Sequence, residues 1–221
     1  NVFFHQTLGW VFEQNEMLNH ESDYLEKSLL EYQMALALND DASNPDNRAN
    51  LLLNLGNGNY LLKNFQTAHH YYKEREKTKI GFDNASREAV YRQRFGETAF
   101  KSGYPEDAVR HFQKALKIYS DKNIKERVAE MNDRIALAYQ DQGQYAKAVT
   151  HFTAALELNH DVGNADSIAR ALRNIANNLF WLSQSKGRDD SKSLRQALNL
   201  YFQAVDNLEK FGVKRKTKEK T

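Results

Sequence analysis

A recurring column of small residues constrains the fold of this chain more than any other feature of its sequence. Its members are Ser28, Ala68, Ala108, Ala148 and Ala197, which are separated by 40, 40, 40 and 49 positions. An aromatic residue follows each of them four positions later, and these residues are Tyr32, Tyr72, Phe112, Phe152 and Tyr201. A second small residue follows three positions after the ring, except at Arg75. Positions i, i+4 and i+7 share one helical face, so the column predicts five copies of a closely packed helix.

A second pattern precedes each copy and predicts a partner helix. It is an apolar residue followed by a small one, as in Leu55-Gly56, Phe95-Gly96 and Ile135-Ala136. A small residue allows the backbones of two helices to approach each other. Gly103 and Gly143 lie between the two patterns and are typical of a turn. The chain is therefore expected to consist of helix pairs.

Composition agrees with an all-α fold. The sequence of 221 residues contains two prolines, and strong helix formers dominate it. Hydrophobic residues make up 41% of the chain, which is enough for a core. Cysteine is absent, and this excludes disulfides, thiolate metal sites and a cysteine nucleophile.

Segments such as FGETAFKSGYPEDAVRHFQKAL (95–116) and IALAYQDQGQYAKAVTHFTAALEL (135–158) carry both patterns. They resemble the tetratricopeptide repeat (TPR) family, in a variant whose spacing of 40 residues exceeds the common period of about 34. The resemblance implies a right-handed α-solenoid of about five antiparallel helix pairs. In this family the first helix of each pair lines a concave face.

We expect one superhelical domain over residues 1–210, followed by a basic, disordered tail at 211–221. The expected repeats are approximately 2–40, 47–80, 87–120, 127–160 and 167–210, with a mobile loop at 183–193. Because Arg75 replaces a small residue of the column, we also expect looser packing in the second repeat.

Motifs of enzymatic chemistry are missing from the sequence. It contains no phosphate-binding loop, dinucleotide fingerprint, zinc-protease helix or nucleophile elbow. We therefore predict a protein that is not an enzyme and uses no cofactor and no metal. The net charge of +2 gives no reason to expect nucleic-acid binding, and no apolar run has the length of a membrane span.

The resemblance to the TPR family places a set of side chains on the concave face. The predicted peptide-binding residues are Asn54, Asn57, Tyr60, Leu61, Arg94, Arg134, Leu137, Arg170, Arg173, Asn174, Asn177 and Trp181. Amides can donate to and accept from a peptide backbone, and arginine favours carboxylates, so an acidic segment fits best. The alternative is that Glu97, Glu130 and Asp133 pair with these arginines.

The predicted function is a scaffold that binds a protein or peptide segment in this groove. One alternative is self-association through the apolar N-terminal stretch, which contains Val2, Phe3, Phe4, Leu8, Trp10, Val11 and Phe12. Another is a recruiting or regulatory arm of an enzyme whose catalytic domain lies outside this sequence. The first residue, Asn1, indicates an excised or processed piece, and we expect a cytoplasmic location with the bacterial periplasm as the alternative.

Overall fold

The structure is a computed structural model that describes residues 5–6, 22–39, 44–185 and 191–218. At positions 22–23, 191, 205 and 207–218 it describes the backbone alone. The apolar residues predicted between Val2 and Phe12 lie outside the described residues.

Nine α-helices have their bounds within the described residues, and these residues contain no strand. The helices are α1 (Ser22–Leu38), α2 (Pro45–Leu61), α3 (Phe65–Lys77), α4 (Ala85–Lys101), α5 (Pro105–Asp121), α6 (Lys125–Asp141), α7 (Tyr145–Val162), α8 (Ala165–Ser185) and α9 (Ser191–Lys218). The prediction of an all-α fold is confirmed.

The chain divides into two compact units, Asn1–Asp107 and Ala108–Thr221, with the boundary inside α5. In the first unit α1 packs on α2, α2 on α3 and α3 on α4. In the second unit α6 packs on α7, α7 on α8 and α8 on α9. Within α1–α4 and within α6–α9, each helix thus packs on the helix that follows it.

Three-residue turns join the two helices of the central pairs, and their geometry explains the glycines. The middle residues Lys63, Gly103 and Gly143 have φ values of 61°, 82° and 68°. After each turn a backbone N–H reaches back to the helix, as in Tyr104 N to Ala99 O at 2.9 Å and Gln144 N to Tyr139 O at 2.9 Å. This left-handed C-terminal cap satisfies carbonyls that the helix end leaves open. A turn of three residues between packed helices makes the pair antiparallel.

The predicted column of small residues lies in the core. Ser28, Ala68, Ala108 and Ala148 are fully buried, and Ala197 is nearly so. The rings that follow them are also buried at Tyr32, Tyr72, Phe112 and Phe152. The last ring of the column, Tyr201, is instead 36% exposed, so the final repeat does not bury its aromatic residue as the others do.

Arg75 does not loosen the second repeat as predicted. Its side chain is only 5% exposed, and its guanidinium lies 4.3 Å from the ring centroid of Phe82. It donates hydrogen bonds to the carbonyl oxygens of Ile80 at 2.6 Å and Gly81 at 3.2 Å. Burial lowers the pKa of Arg75 from its ordinary value. Instead of leaving a gap, this arginine attaches the segment after α3 to the helix.

The segments at the C-terminal end differ from the predicted layout. Within the predicted loop at 183–193, α8 continues to Ser185 and α9 begins at Ser191, so helix occupies both of its ends. Residues 186–190 lie outside the described residues. The backbone of α9 continues to Lys218 and therefore includes most of the segment expected to be a tail.

Gly56 of α2 lies directly against the Tyr72 ring of α3. A Cβ placed there would lie 2.5 Å from Cδ1 of the Tyr72 ring, which is fully buried. We predict that Gly56→Ala lowers the free energy of unfolding by about 1–3 kcal/mol, because the ring has no room to move. Chemical denaturation followed by circular dichroism measures this change.

Gly81→Ala is the matched control, because nothing lies within 4 Å of a Cβ at that position. The control should change the free energy of unfolding by no more than about 0.5 kcal/mol. Alanine has a helix propensity about 1 kcal/mol better than that of glycine. A Gly56→Ala protein more stable than wild type would show that propensity outweighs the contact with Tyr72.

Candidate functional site

A groove of about 580 Å³ lies in the second unit, where α6 and α8 form its walls and the end of α7 contributes to its edge. Its lining residues are Glu126, Glu130, Asp133, Arg134, Leu137, Asn159, Val162, Asn164, Ser167, Arg170, Arg173 and Asn174. The first helices of two successive repeats therefore form a concave surface.

Five of the predicted binding residues line this groove. They are Arg134, Leu137, Arg170, Arg173 and Asn174. Leu137 also packs against the hydrophobic core of the unit. The structure thus places these five side chains together, as the helical spacing within α6 and α8 predicts.

Two of the predicted arginines form ion pairs inside the protein. Arg170 Nη2 donates to Asp133 Oδ2 at 3.4 Å, and this pair joins α8 to α6. Arg134 Nη2 lies 3.6 Å from Glu130 Oε1, one turn away on the same helix. The alternative of pairing across repeats is therefore realised for Arg170, whereas Arg134 pairs within its own helix.

Two other groove residues remain as unpaired charges. Among the described residues, neither Arg173 nor Glu126 has an ion-pair partner. Glu126 lies in the first turn of α6, whereas Arg173 lies near the middle of α8. The groove consequently offers one unpaired charge of each sign, at different points along its length.

Asp133 is the buried carboxyl of the groove. Its residue is 8% exposed, and its Oδ1 has no hydrogen-bond partner within the described part of the chain. Burial raises the pKa of this carboxyl above its ordinary value, and the charge of Arg170 offsets part of the rise. Asn159 contributes a buried amide, whose Nδ2 also lacks a partner there.

Beyond the groove, α8 continues with Asn177 and Trp181. The hydroxyl of Tyr201 donates to Oδ1 of Asn177. Trp181 is 51% exposed and forms a cluster with Tyr145, at a ring-centroid distance of 6.4 Å, and with Phe180, at 5.4 Å. These predicted residues are on the same helix as the groove wall but do not line the cavity itself.

A smaller groove of about 330 Å³ lies in the first unit. It is lined by Leu53, Asn54, Asn57, Ser86, Arg87, Val90, Tyr91 and Arg94. Three predicted residues, Asn54, Asn57 and Arg94, are therefore also brought together.

Tyr60 and Leu61 are the predicted residues that do not line this smaller groove. The hydroxyl of Tyr60 donates to Glu97 Oε2, and the guanidinium of Arg94 lies 5.5 Å from the Tyr60 ring centroid. Leu61, at the end of α2, is exposed.

Two tyrosines of the second helices are functional candidates that the sequence reasoning missed. Tyr72 Oη donates to Asn57 Oδ1 at 2.9 Å, which matches the contact between Tyr201 and Asn177. In each case the tyrosine hydroxyl donates to the oxygen of the asparagine amide, and the amide N–H groups can still donate to a ligand.

A signal for this pairing is present in the sequence. Equivalent positions of the first helices hold Asn57, Glu97, Leu137 and Asn177. The column rings of the same repeats are Tyr72, Phe112, Phe152 and Tyr201. Tyrosine therefore occurs where the partner is asparagine, and phenylalanine occurs where it is not.

The described residues contain neither a metal site nor a membrane span. In the described ranges, no three histidine or carboxylate side chains are arranged to hold a metal ion. No helix in the part of the chain that the structure describes combines the length and hydropathy of a membrane span.

We predict that Asp133→Asn becomes more stabilising relative to wild type as the pH rises above the ordinary range of an aspartate. Because the folded pKa is raised, the folded protein binds more protons than the unfolded chain between the two pKa values. Wild type therefore loses stability as the pH rises through the folded pKa, and the variant does not. Denaturant midpoints across the acidic and neutral range measure the difference.

Asp141→Asn is the control, since Asp141 is an exposed residue at the end of the same helix. This variant removes a carboxylate from the exposed surface of the helix, and its pH dependence is compared with that of Asp133→Asn. An advantage of Asp133→Asn that shrinks with rising pH would contradict the assigned burial of this carboxyl.

Comparisons with known proteins agree with this architecture. Residues 127–185 match a family model described as tetratricopeptide repeat. The search of curated proteins gave no match.

Solved structures resemble the chain over nearly its whole length. The MamA protein aligns with a TM-score of 0.65 and 14% identity, covering 95% of this chain and 92% of MamA. Nearly identical TPR-like repeats of a Podospora anserina protein assigned as a kinesin light chain give a TM-score of 0.63 and 14% identity, covering 96% of each chain. YrrB, described as a TPR protein with an unusual peptide-binding site, gives 0.59 and 17%, covering 96% of this chain and 92% of YrrB.

At these identities the structural matches establish the fold, and the family model identifies the repeats in the second unit. The paired helices, the buried small-residue column and the left-handed turns agree with both findings. The chain has an all-α, TPR-like fold, and residues 127–185 carry the tetratricopeptide repeat pattern.

Proposed function

We propose that this protein is an interaction scaffold that binds an extended peptide segment in the groove between α6 and α8. The TPR fold supports protein interaction in general. The observation that carries the finer proposal is the groove itself, where polar side chains and Leu137 surround about 580 Å³. Sites for small molecules and cofactors usually have volumes of about 300–1,000 Å³, and the volume of this groove lies within that range.

The lining chemistry suits a peptide backbone. An extended backbone presents both N–H donors and carbonyl acceptors, so it needs partners of both kinds. Asn174 and Ser167 line the groove and can supply both kinds. Apolar side chains of the peptide can be buried against Leu137 and Val162, and this burial favours binding.

The charged side chains of the groove favour a carboxylate of the peptide at one position. Because Arg134 and Arg170 already pair with carboxylates, a strongly acidic ligand gains less than it would from three free arginines. Arg173 has no such partner in the described ranges and favours a carboxylate on the ligand. We therefore propose a segment with one acidic residue at Arg173, and the net neutral groove predicts a weak dependence of affinity on salt.

The comparison structures support this proposal only by analogy. The peptide-binding site in the description of YrrB belongs to that protein. The smaller groove of the first unit, with Asn54, Asn57 and Arg94, is proposed as a second contact for protein segments.

The proposal predicts that a displayed library of random linear peptides yields binders that depend on the groove. Arg173→Ala should weaken the selected peptides by about tenfold or more, because a hydrogen bond to a charged group contributes about 1.5–3 kcal/mol. Asn174→Ala should weaken them by about two- to tenfold, because a hydrogen bond between neutral groups contributes about 0.5–1.5 kcal/mol. Arg134→Ala and Asn57→Ala test the other wall and the second groove. Fluorescence anisotropy with labelled peptides measures the affinities, and circular dichroism checks that helicity is unchanged.

Arg195→Ala is the matched control, because Arg195 is an exposed arginine of α9 outside the groove. Its affinity for the same peptides should equal that of wild type. Selected peptides that bind all of these variants equally would contradict the groove as the binding site.

The remaining readings stay predictions. Self-association through residues 2–12 concerns positions outside the described residues, and light scattering of Phe3→Glu and Trp10→Glu tests it. A role as the arm of a larger enzyme and a cytoplasmic location likewise stay expectations from the sequence.

A further inference from the structure

One ridge of α8 presents three chemically different groups in a line. Arg173, Asn177 and Trp181 stand four positions apart, so they lie above one another on one helical face. Arg173 and Trp181 are exposed, and Asn177 is half-buried. We name these three residues the α8 ridge, which starts at the groove wall and continues beyond the cavity.

Each residue of the ridge can bind a different chemical group of a ligand. Arg173 has no ion-pair partner among the described residues and suits a carboxylate. Asn177 accepts from the hydroxyl of Tyr201 with its amide oxygen, which leaves its amide N–H groups to donate to a carbonyl. Trp181 offers an exposed ring that contacts Tyr145 and Phe180.

At the aromatic end of the ridge, a flat ligand ring that stacks on Trp181 fits better than a ligand side chain that must fill a pocket. Trp181 does not line the cavity, and its ring is inclined by only 22° to that of Tyr145. Proline-rich segments in other proteins dock on aromatic side chains that line a groove, and Trp181 offers such a side chain next to the groove wall. Proline brings the added advantage of a backbone that is already extended before binding.

Geometry sets the spacing of the ligand. Arg173 and Trp181 are eight positions apart, which corresponds to about 12 Å along a helix that rises 1.5 Å per residue. A polyproline II segment rises about 3.1 Å per residue with three residues per turn, so three or four residues cover about 9–12 Å. The long side chain of Arg173 accommodates the difference.

We propose that the segment bound by this protein contains an acidic residue and a proline three or four positions apart, in polyproline II conformation. The carboxylate pairs with Arg173, a backbone carbonyl between the two accepts from Asn177, and the proline ring stacks on Trp181. Glu126, the unpaired carboxylate of the groove, lies in the first turn of α6, so the acidic ligand residue binds away from it. This proposal rests on the peptide-binding function above and specifies its ligand.

The test uses the full chain and fluorescein-labelled synthetic peptides with blocked ends. The parent peptides carry Glu-x-x-Pro or Pro-x-x-Glu, and matched peptides replace Glu by Gln, replace Pro by Ala, or place the two residues side by side. Anisotropy titrations should show one of the parents binding about tenfold more tightly than each matched peptide.

Variants of the ridge assign each contact. Arg173→Gln should weaken the parent about tenfold and leave the affinity for the Gln peptide unchanged. Trp181→Ala should weaken the parent similarly and leave the affinity for the Ala peptide unchanged. Tyr201→Phe, which removes the hydroxyl that orients Asn177, should weaken both parent and matched peptides.

Two exposed residues of α9 serve as matched controls. Arg195→Gln removes an arginine, and Phe202→Ala removes a ring that is 62% exposed. Neither change should alter the affinity. Circular dichroism of every variant separates a lost contact from a lost fold, and Trp181→Phe, which keeps an aromatic face, should retain most of the affinity.

The outcomes distinguish this inference from the proposed function. Groove-dependent library peptides that lack the acid-proline spacing, or a parent peptide that is insensitive to Trp181→Ala, would overturn the inference and leave the peptide groove in place. If neither the library nor any parent peptide binds in a manner that depends on Arg173 or Asn174, both proposals fail.

Discussion

Close approach between the two helices of each pair is the constraint on which the rest of this structure depends. Small residues such as Ala68 and Ala148 are fully buried, and a ring one turn further along fills the adjacent space. Gly56 shows how tight the approach is, since even a methyl group there would meet the Tyr72 ring. Because the second helices pack in this way, the first helices of successive repeats are left to form the groove walls.

The fold was predictable from the sequence because its cause is periodic. A column of small residues that repeats over five copies indicates the packing face of a helix. The glycines Gly103 and Gly143 indicate turn positions with positive φ. The departures have a different origin. Arg75 is buried because the aromatic ring of Phe82 and two linker carbonyls receive it, and these partners do not belong to the column. Tyr201 is partly exposed. Spacing did not predict this exposure, because it does not show how much neighbouring structure covers α9.

The site was predictable in part, and the limit lies in side-chain partners. Helical spacing placed Arg134 on one wall of the groove and Arg170 and Arg173 on the other, but it did not show which of them form ion pairs. Arg134 pairs with Glu130 one turn earlier, as helical spacing allows, whereas the pairing of Arg170 with Asp133 on another helix depends on a distance that spacing does not give. The resulting groove has balanced charge, so its recognition depends on the placement of individual groups. The same reasoning explains why a basic count alone would overstate affinity for acidic ligands.

The hydroxyls of Tyr72 and Tyr201 have a consequence for how such repeats diverge. A tyrosine as deeply buried as Tyr72 needs an acceptor for its hydroxyl, since an unsatisfied polar group in that position costs about 1–3 kcal/mol. Loss of Asn57 alone would therefore leave the Tyr72 hydroxyl without its acceptor and destabilise the repeat. In the fourth repeat, Leu137 occupies the position equivalent to Asn57 and the column ring is the fully buried Phe152, so a hydroxyl added at Phe152 would lack this acceptor unless Leu137 also became asparagine.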